Sequence, residues 1–474
     1  MLFSSIAFLF YFLPLFLLAY FLLPARNAVF LVFSLAFYAL GEGPYLLLLL
    51  ASIGANYRFA LLIEHEATQR GRRSRRWITF AIAFNLALLG LFKYGNFLLA
   101  QLAVLGVSAI PALPVHLPLG ISFFTFHAIS YLVDVHRGDA RAERNLATLA
   151  LYVAMFPQLI AGPIIRFKTI VGELHERRAT VADAAAGIRL FAIGLAQKTL
   201  IANTLALPAD RIFALPGEML TAPVAWLGAI AYGLQLYFDF CGYSLMALGL
   251  ARAFGLHFPR NFNYPYVSRS LTEFWHRWHI TLSQWFRDYV YIPLGGNRRG
   301  PVVTYRNLLI VFVLCGLWHG AAWTFVIWGL YHGLFLTLER LGLARILARA
   351  WPPLAHIYAL LAIFAGWVLF RAEDLGQATA YFTAMAGLNR PVNAGFSLGW
   401  FLTPDVRLAL AAGILGATPF APWMMTKLRE LGETVVAPRL AVVAGEVALP
   451  LGLLLLSAMT LAIGSYNPFI YFRF

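Results

Sequence analysis

The chain has 474 residues, of which 61% are hydrophobic, 15% aromatic and only 12% charged, with a net charge of +15. That balance excludes a water-soluble globular domain and points to an all-α polytopic membrane protein. The positive charge does not read as nucleic-acid binding, because the basic residues sit in short loops between apolar runs, as cytoplasmic loops of membrane proteins do.

Apolar segments follow one another near residues 3–23, 27–41, 43–63, 77–101, 117–135, 146–164, 183–206, 223–251, 304–338, 353–370, 408–425 and 440–465. A spanning helix needs roughly 20 mostly apolar residues, so about ten spans are expected. The first segment lacks a basic leader and a small-residue cleavage site, and it reads as a retained span. The loop at 69–77, QRGRRSRRW, is the strongest orientation signal, and it is expected in the cytoplasm. Segment 146–164 contains FPQLIAGP, a run broken by Pro and Gly. Read as re-entrant, it keeps the basic stretch 166–178 on the cytoplasmic side, and such backbone is tolerated only where protein shields it. The run 304–338 is too long for one crossing and reads as a hairpin broken near Gly316 and Gly320, which returns Arg340, Arg345 and Arg349 to the cytoplasm. No polar stretch is long enough for a separate soluble domain, so 1–474 reads as one membrane domain. Cys241 and Cys315 lie in apolar segments and imply no disulfide framework.

Polar side chains of catalytic grade concentrate between Glu273 and His332, where four of the chain's 11 histidines fall: His276, His279, His319 and His332. Trp275, Trp278, Leu282, Trp285 and Tyr289 recur at three- and four-residue steps, and Arg277, Thr281, Gln284 and Asp288 keep the same rhythm. One helix is expected there, lying in the membrane–water boundary with indoles on one face and charge on the other. No acidic residue occurs between Arg306 and Glu339, so His319 and His332 are expected at membrane depth, where an ionisable group is a functional candidate. Gly320, Ala321 and Ala322 follow His319 and let a helix or a substrate approach closely. The bland alternative is a histidine that only packs between helices. His279 reads equally as a site residue or a boundary residue, whereas His276 and His332 read as structural.

Glu273, His276 and His279 spell E-x-x-H-x-x-H, a metal-ligand pattern. With one H-x-x-H and no further His box, no metal is expected. Asp239, in QLYFDFCGYS, needs a partner in the membrane and reads as locked to an Arg or a Tyr, with contact to substrate as the alternative. Ser122, Thr125, His127 and Asp134 recur near helical spacing and either line a polar tunnel or bond between helices.

The motifs PLGISFFTFHAISYLVDVHRG, FPQLIAGPIIRF, YFDFCGYSLMALG, FWHRWHITLSQWFRDYVYIPLGGNR, GLWHGAAWTFVIWGLYHG and PFIYFRF follow in order along nearly the whole chain. On them the chain resembles the membrane-bound O-acyltransferase (MBOAT) family, in the branch similar to alginate O-acetylation membrane proteins. The resemblance implies a helical ring with re-entrant segments and interfacial helices around a central tunnel. It also implies acyl transfer from a thioester to a hydroxyl. His319 matches the family's essential histidine, and His279 its second site position, which is histidine in this branch and Asn or Asp in others. Two departures touch substrate details: Leu245 stands where the family has Asp, and His127 where it has Gln.

On this reading His319 is the general base, since imidazole titrates near neutrality. His279 orients substrate or stabilises the developing oxyanion. No tightly bound cofactor is implied. The donor is a cytoplasmic thioester, acetyl-CoA, whose phosphates Arg277, Arg298 and Arg299 would meet. The acceptor is an extracytoplasmic polysaccharide, and the implied partners are a periplasmic esterase-fold acetyltransferase and polysaccharide secretion machinery. The implied place is the bacterial inner membrane, in contact with lipid. Two other readings are a sibling enzyme acylating peptidoglycan or teichoic acid, and a glycan or acyl transporter. The transporter predicts inverted repeats with paired broken helices, which the sequence does not display.

Overall fold

The computed structural model describes residues 2–70, 75–106, 111, 113, 116–160, 162–389, 396–432, 442, 444–464 and 466–469. Arg72 and Arg73 of the basic loop, Ala161 of FPQLIAGP and residues 470–474 of the terminal motif lie outside them. All regular elements among the described residues are helical. The backbone gathers into two compact units, Met1–Ile188 with Met246–Pro259, and Arg189–Leu245 with Arg260–Phe474.

The first unit contains α1 (Leu13–Leu22), α2 (Arg26–Glu42), α3 (Tyr45–Arg70), α4 (Arg75–Leu89), α5 (Gly95–Val104), α6 (Ile121–Arg137), α7 (Leu146–Ala154), α8 (Phe156–Leu159), α9 (Phe167–His175) and the start of α10 (Val181–Ala196). Its core is a nest of phenylalanines. Phe156 stands edge-on to Phe12 and Phe16 at 5.5 and 5.2 Å and tilted against Phe30 at 5.4 Å. Such ring pairs contribute about 0.5–1.5 kcal/mol each beyond their buried area. They anchor the broken segment expected to be re-entrant. The helix breaks at Met155 (ψ 114), and its pieces of 9 and 4 residues are each far too short to cross. Polar contacts tie the remaining helices together. Asn56 on α3 and Asn85 on α4 exchange amide hydrogen bonds of 3.1 and 2.7 Å. Buried Asp134 on α6 accepts from Lys168 on α9 at 3.0 Å, which bonds the two helices together.

The second unit takes up α10, passes through a π turn (Gln197–Ala202) into α11 (Asn203–Phe213), and continues with most of α12 (Ala222–Ala253). There follow α13 (Leu271–Arg277), α14 (Ile280–Phe286), α15 (Pro301–His319), α16 (Trp323–Leu338), α17 (Ala344–Arg349), α18 (Pro352–Arg371), α19 (Leu375–Met385), α20 (Leu398–Phe401), α21 (Pro404–Gly416), α22 (Phe420–Gly432) and α23 (Leu449–Ala462). The expected hairpin is present. Gly320, Ala321 and Ala322 separate α15 from α16, and the two helices run back along each other with Phe312 beside Gly329 and Leu309 beside Gly333. A methyl group on Gly316 would collide with the Phe325 carbonyl, so only glycine permits this closeness.

Among the described residues, seven helices are long and apolar enough to cross a membrane, or eight if Pro404–Gly416 and Phe420–Leu431, bent by 65°, form one span. The balance of the roughly ten expected spans forms shorter helices, such as α1 with 10 residues and α2 and α6 with 17.

Deep in the second unit the π turn carries Lys198, whose Nζ lies 2.8 Å from Asp239 on α12, with side chains 1% and 2% exposed. Lys198 also donates to Asn203 Oδ1 at 2.8 Å and to the Pro468 carbonyl, which ties down the chain beyond α23. A lysine is therefore a partner of Asp239, where an Arg or a Tyr was anticipated. Breaking such a buried pair from one side typically costs about 3–5 kcal/mol, while replacing both partners with apolar groups costs far less. Asp239→Ala should lower the melting temperature of the purified protein by several degrees. Asp239→Ala combined with Lys198→Met should recover most of that loss. Equal melting temperatures for the single and double variants would contradict this account of the pair.

Candidate active site

The site is built where α13 meets the α15–α16 hairpin. α13 starts at Ser270, whose Oγ accepts from the Glu273 N–H at 3.0 Å. The Glu339 carboxylate accepts from the N–H groups of Leu271 and Thr272 at 2.7 and 2.9 Å and from the Thr272 hydroxyl at 2.6 Å. A buried acid at a helix N-terminus satisfies unpaired donors and complements the helix dipole. Because Glu339 directly follows α16, the returning arm of the hairpin holds the start of α13.

α13 ends after two turns. Trp278 is extended (φ −100, ψ 129) and His279 is left-handed (φ 43, ψ 54), after which α14 restarts at Ile280. The single boundary helix expected here is thus replaced by two short helices around a reversal. Trp275, Trp278, Leu282 and Trp285 are 7%, 4%, 1% and 5% exposed, so they pack inside the protein and not at a membrane surface. The cause is competition from the segment around Asn261. The Asn263 N–H donates to the Arg277 carbonyl at 3.0 Å, and the Ile280 N–H donates to the Asn261 carbonyl at 2.9 Å. Asn261 Oδ1 lies 3.0 Å from both His279 Nδ1 and Thr281 Oγ1. A left-handed residue with a side chain costs about 1–2 kcal/mol, and these bonds offset it.

The reversal turns His279 into the protein, where it is 1% exposed. Its ring stands perpendicular to Phe240 at 4.7 Å and lies 6.1 Å from Trp318. Burial pushes its pKa down to about 3, so the imidazole is neutral near pH 7. Nε2 has no hydrogen-bond partner among the described residues.

His319 is the last residue of α15 and is 8% exposed. Trp318, Trp328 and Phe370 surround its ring edge-on at 4.9, 5.2 and 5.1 Å. Trp318 therefore borders both candidate histidines. The small residues after His319 have a packing role as well: a methyl group on Gly320 would run into the ring of Phe325. His332, on α16, is buried against Trp275, whose indole N–H points at Nδ1 from 3.4 Å, and Trp328 lies 4.9 Å away.

The E-x-x-H-x-x-H residues do not converge. Glu273 pairs with Arg277 at 2.9 Å, His276 is exposed, and His279 is turned inward by the reversal. No three His, Cys, Asp or Glu residues form a metal-ligand group among the described residues. Of the three arginines expected to meet the donor, Arg277 is engaged by Glu273 and by the Asn263 carbonyl at 3.1 Å, while Arg298 and Arg299 are exposed. A cavity of about 550 Å³ lies between α13–α14 and the hairpin, with Trp275, Phe312 and Cys315 in its wall and Arg287 and Arg340 also lining it. Cys315 is one helical turn before His319. Sequence reasoning passed over Arg287 and Asn261 and read Arg340 only as a cytoplasmic charge; an amide between Arg260 and Phe262 gave no distinctive signal.

Comparison with known proteins agrees with the motifs. Residues 76–370 match the MBOAT, membrane-bound O-acyltransferase family. A probable alginate O-acetylase of Azotobacter vinelandii is 44% identical over 424 residues, covering 88% of this chain and 82% of that protein. A probable alginate O-acetylase of Pseudomonas aeruginosa is 41% identical over 524 residues and covers 100% of both chains. A peptidoglycan O-acetyltransferase of Helicobacter pylori is 38% identical over 427 residues, covering 82% of this chain and 80% of that protein.

The packing of His332 separates it from the other two histidines. His332→Ala leaves a hole between Trp275 and Trp328, a change expected to cost about 2–4 kcal/mol. Its melting temperature should fall while turnover per folded molecule stays within a few-fold of the parent. A hundredfold loss of turnover at unchanged melting temperature would instead place His332 in the chemistry.

Proposed function

The chain belongs to the membrane-bound O-acyltransferase family and is a multi-pass O-acyltransferase, and from that premise we propose that it moves acetyl towards the hydroxyls of an extracytoplasmic polysaccharide. The donor is a cytoplasmic thioester, acetyl-CoA, and no tightly bound cofactor takes part. Relatives named as alginate O-acetylases support a uronic-acid polymer such as alginate as the acceptor. The protein then sits in the bacterial inner membrane and hands acetyl to a periplasmic esterase-fold acetyltransferase beside the secretion machinery. The peptidoglycan relative keeps a cell-wall glycan as the second reading.

His319 is the general base. It takes the hydroxyl proton as that oxygen attacks the thioester carbonyl, so a C–O bond forms and the C–S bond breaks. The imidazolium then returns the proton to the leaving thiolate. His279 meets the attacking group from the other side of Trp318. The aromatic walls around both rings exclude water, which would otherwise compete as the nucleophile. We assign the donor's arm to the cavity beside Cys315, with Arg287 and Arg340 available to its phosphates. The observation that carries this reading is the burial of two imidazoles against one indole, in walls that offer them mainly apolar contacts.

A positioned base contributes about 10²–10⁴-fold to rate. His319→Ala should therefore lower acetyl transfer from acetyl-CoA by that factor in purified protein of matched monodispersity and melting temperature. Turnover near that of the parent would remove His319 from the mechanism.

A further inference from the structure

Asn261 determines what His279 can do. Its side chain is buried, 2% exposed, and its Oδ1 faces three groups: His279 Nδ1 at 3.0 Å, Thr281 Oγ1 at 3.0 Å and the Thr281 backbone N–H at 3.4 Å. A backbone N–H can only donate, so the amide atom turned toward it is the carbonyl oxygen and not the NH₂ group. An amide oxygen can only accept. The imidazole nitrogen facing it must then carry a proton. A neutral imidazole has one N–H, and a ring this deeply buried against Phe240 and Trp318 is held neutral. The second nitrogen, Nε2, consequently bears a lone pair.

We infer that Asn261 is a positioning residue that locks His279 as the Nδ1–H tautomer, so that Nε2 accepts a hydrogen bond from the hydroxyl of the acyl acceptor. Of the two roles open to His279, the lock excludes one. A lone pair cannot donate to a developing oxyanion, whereas it can hold a hydroxyl with its oxygen aimed at the thioester. The absence of any partner for Nε2 among the described residues fits a nitrogen reserved for substrate. The backbone carbonyl of Asn261 clamps the left-handed backbone of His279 by accepting from the Ile280 N–H, so ring orientation and tautomer are set by one side chain and its own peptide group.

This inference rests on His279 belonging to the acyltransferase site, and the test separates the two. Full-length protein labelled with ¹⁵N-histidine, compared with His279→Ala to assign the signal, should show His279 protonated at Nδ1 and unprotonated at Nε2. Asn261→Leu should lose that signature and lower kcat for acetyl transfer by about 10–100-fold, as removal of a group that orients a functional histidine does. Asn261→Asp, which keeps an acceptor oxygen for Nδ1–H and Thr281, should retain the signature and recover activity if Asn261→Leu proves too unstable to purify. An Nε2–H signal in the parent, or unchanged kcat in Asn261→Leu while His279→Ala is inactive, would overturn the inference alone. Full activity in His279→Ala would overturn the reading beneath it.

Discussion

The backbone reversal at His279 is the constraint on which the centre of the second unit depends. Had the helix run unbroken from Leu271 to Phe286, Trp275, Trp278 and His279 would have shared one helical face. The left-handed residue instead splits them. Trp275 stays with α13 and packs against His332, while His279 swings toward Phe240 and Trp318. Strain of this kind persists only where the surroundings over-determine it. Here the surroundings are a peptide segment, 261–263, that supplies backbone and side-chain hydrogen bonds on both sides of the break.

Around that point the structure uses what a membrane leaves available. Lipid tails are as apolar as leucine, so burial against another helix contributes less than in water, and close packing and polar pairing carry more. Gly316 brings α15 and α16 into backbone contact at the Phe325 carbonyl. Glu339 fastens the returning helix to the start of α13. Lys198 and Asp239 neutralise each other where neither could stand alone. In the first unit, Asn56 with Asn85 and the ring nest around Phe156 do the corresponding work.

Long-wavelength features of the chain were legible in the sequence. Apolar runs and their lengths located most of the spans, the Pro–Gly break at 155–163 marked a segment that does not cross as one helix, and Gly316 and Gly320 marked the hairpin break. Local reversals were not legible. The helical rhythm through Trp275–Tyr289 is genuine, but nothing in a His codon position announces a left-handed backbone, which is ordinarily left to Gly or Asn. Pairings across sequence were equally hidden. Lys198 meets Asp239 from within a π turn, and Asn261 bonds His279 from 18 residues upstream. The E-x-x-H-x-x-H pattern misleads for the same reason: its spacing is that of a helix, and the helix is not continuous there.

In the second unit the two candidate histidines therefore border one indole, Trp318, and the cavity beside Cys315 lies one turn of α15 before His319. Acyl transfer needs an oriented hydroxyl and a base in the same water-poor place, and in the proposed mechanism the two histidines divide those duties. Residues that act as one unit are non-additive, since removing either disables the step that both serve. The most direct test is the turnover of His279→Ala/His319→Ala against the two single variants at matched folding. The account predicts that the double variant is scarcely slower than the slower single. Losses that multiply would show two independent contributions and contradict a single shared site.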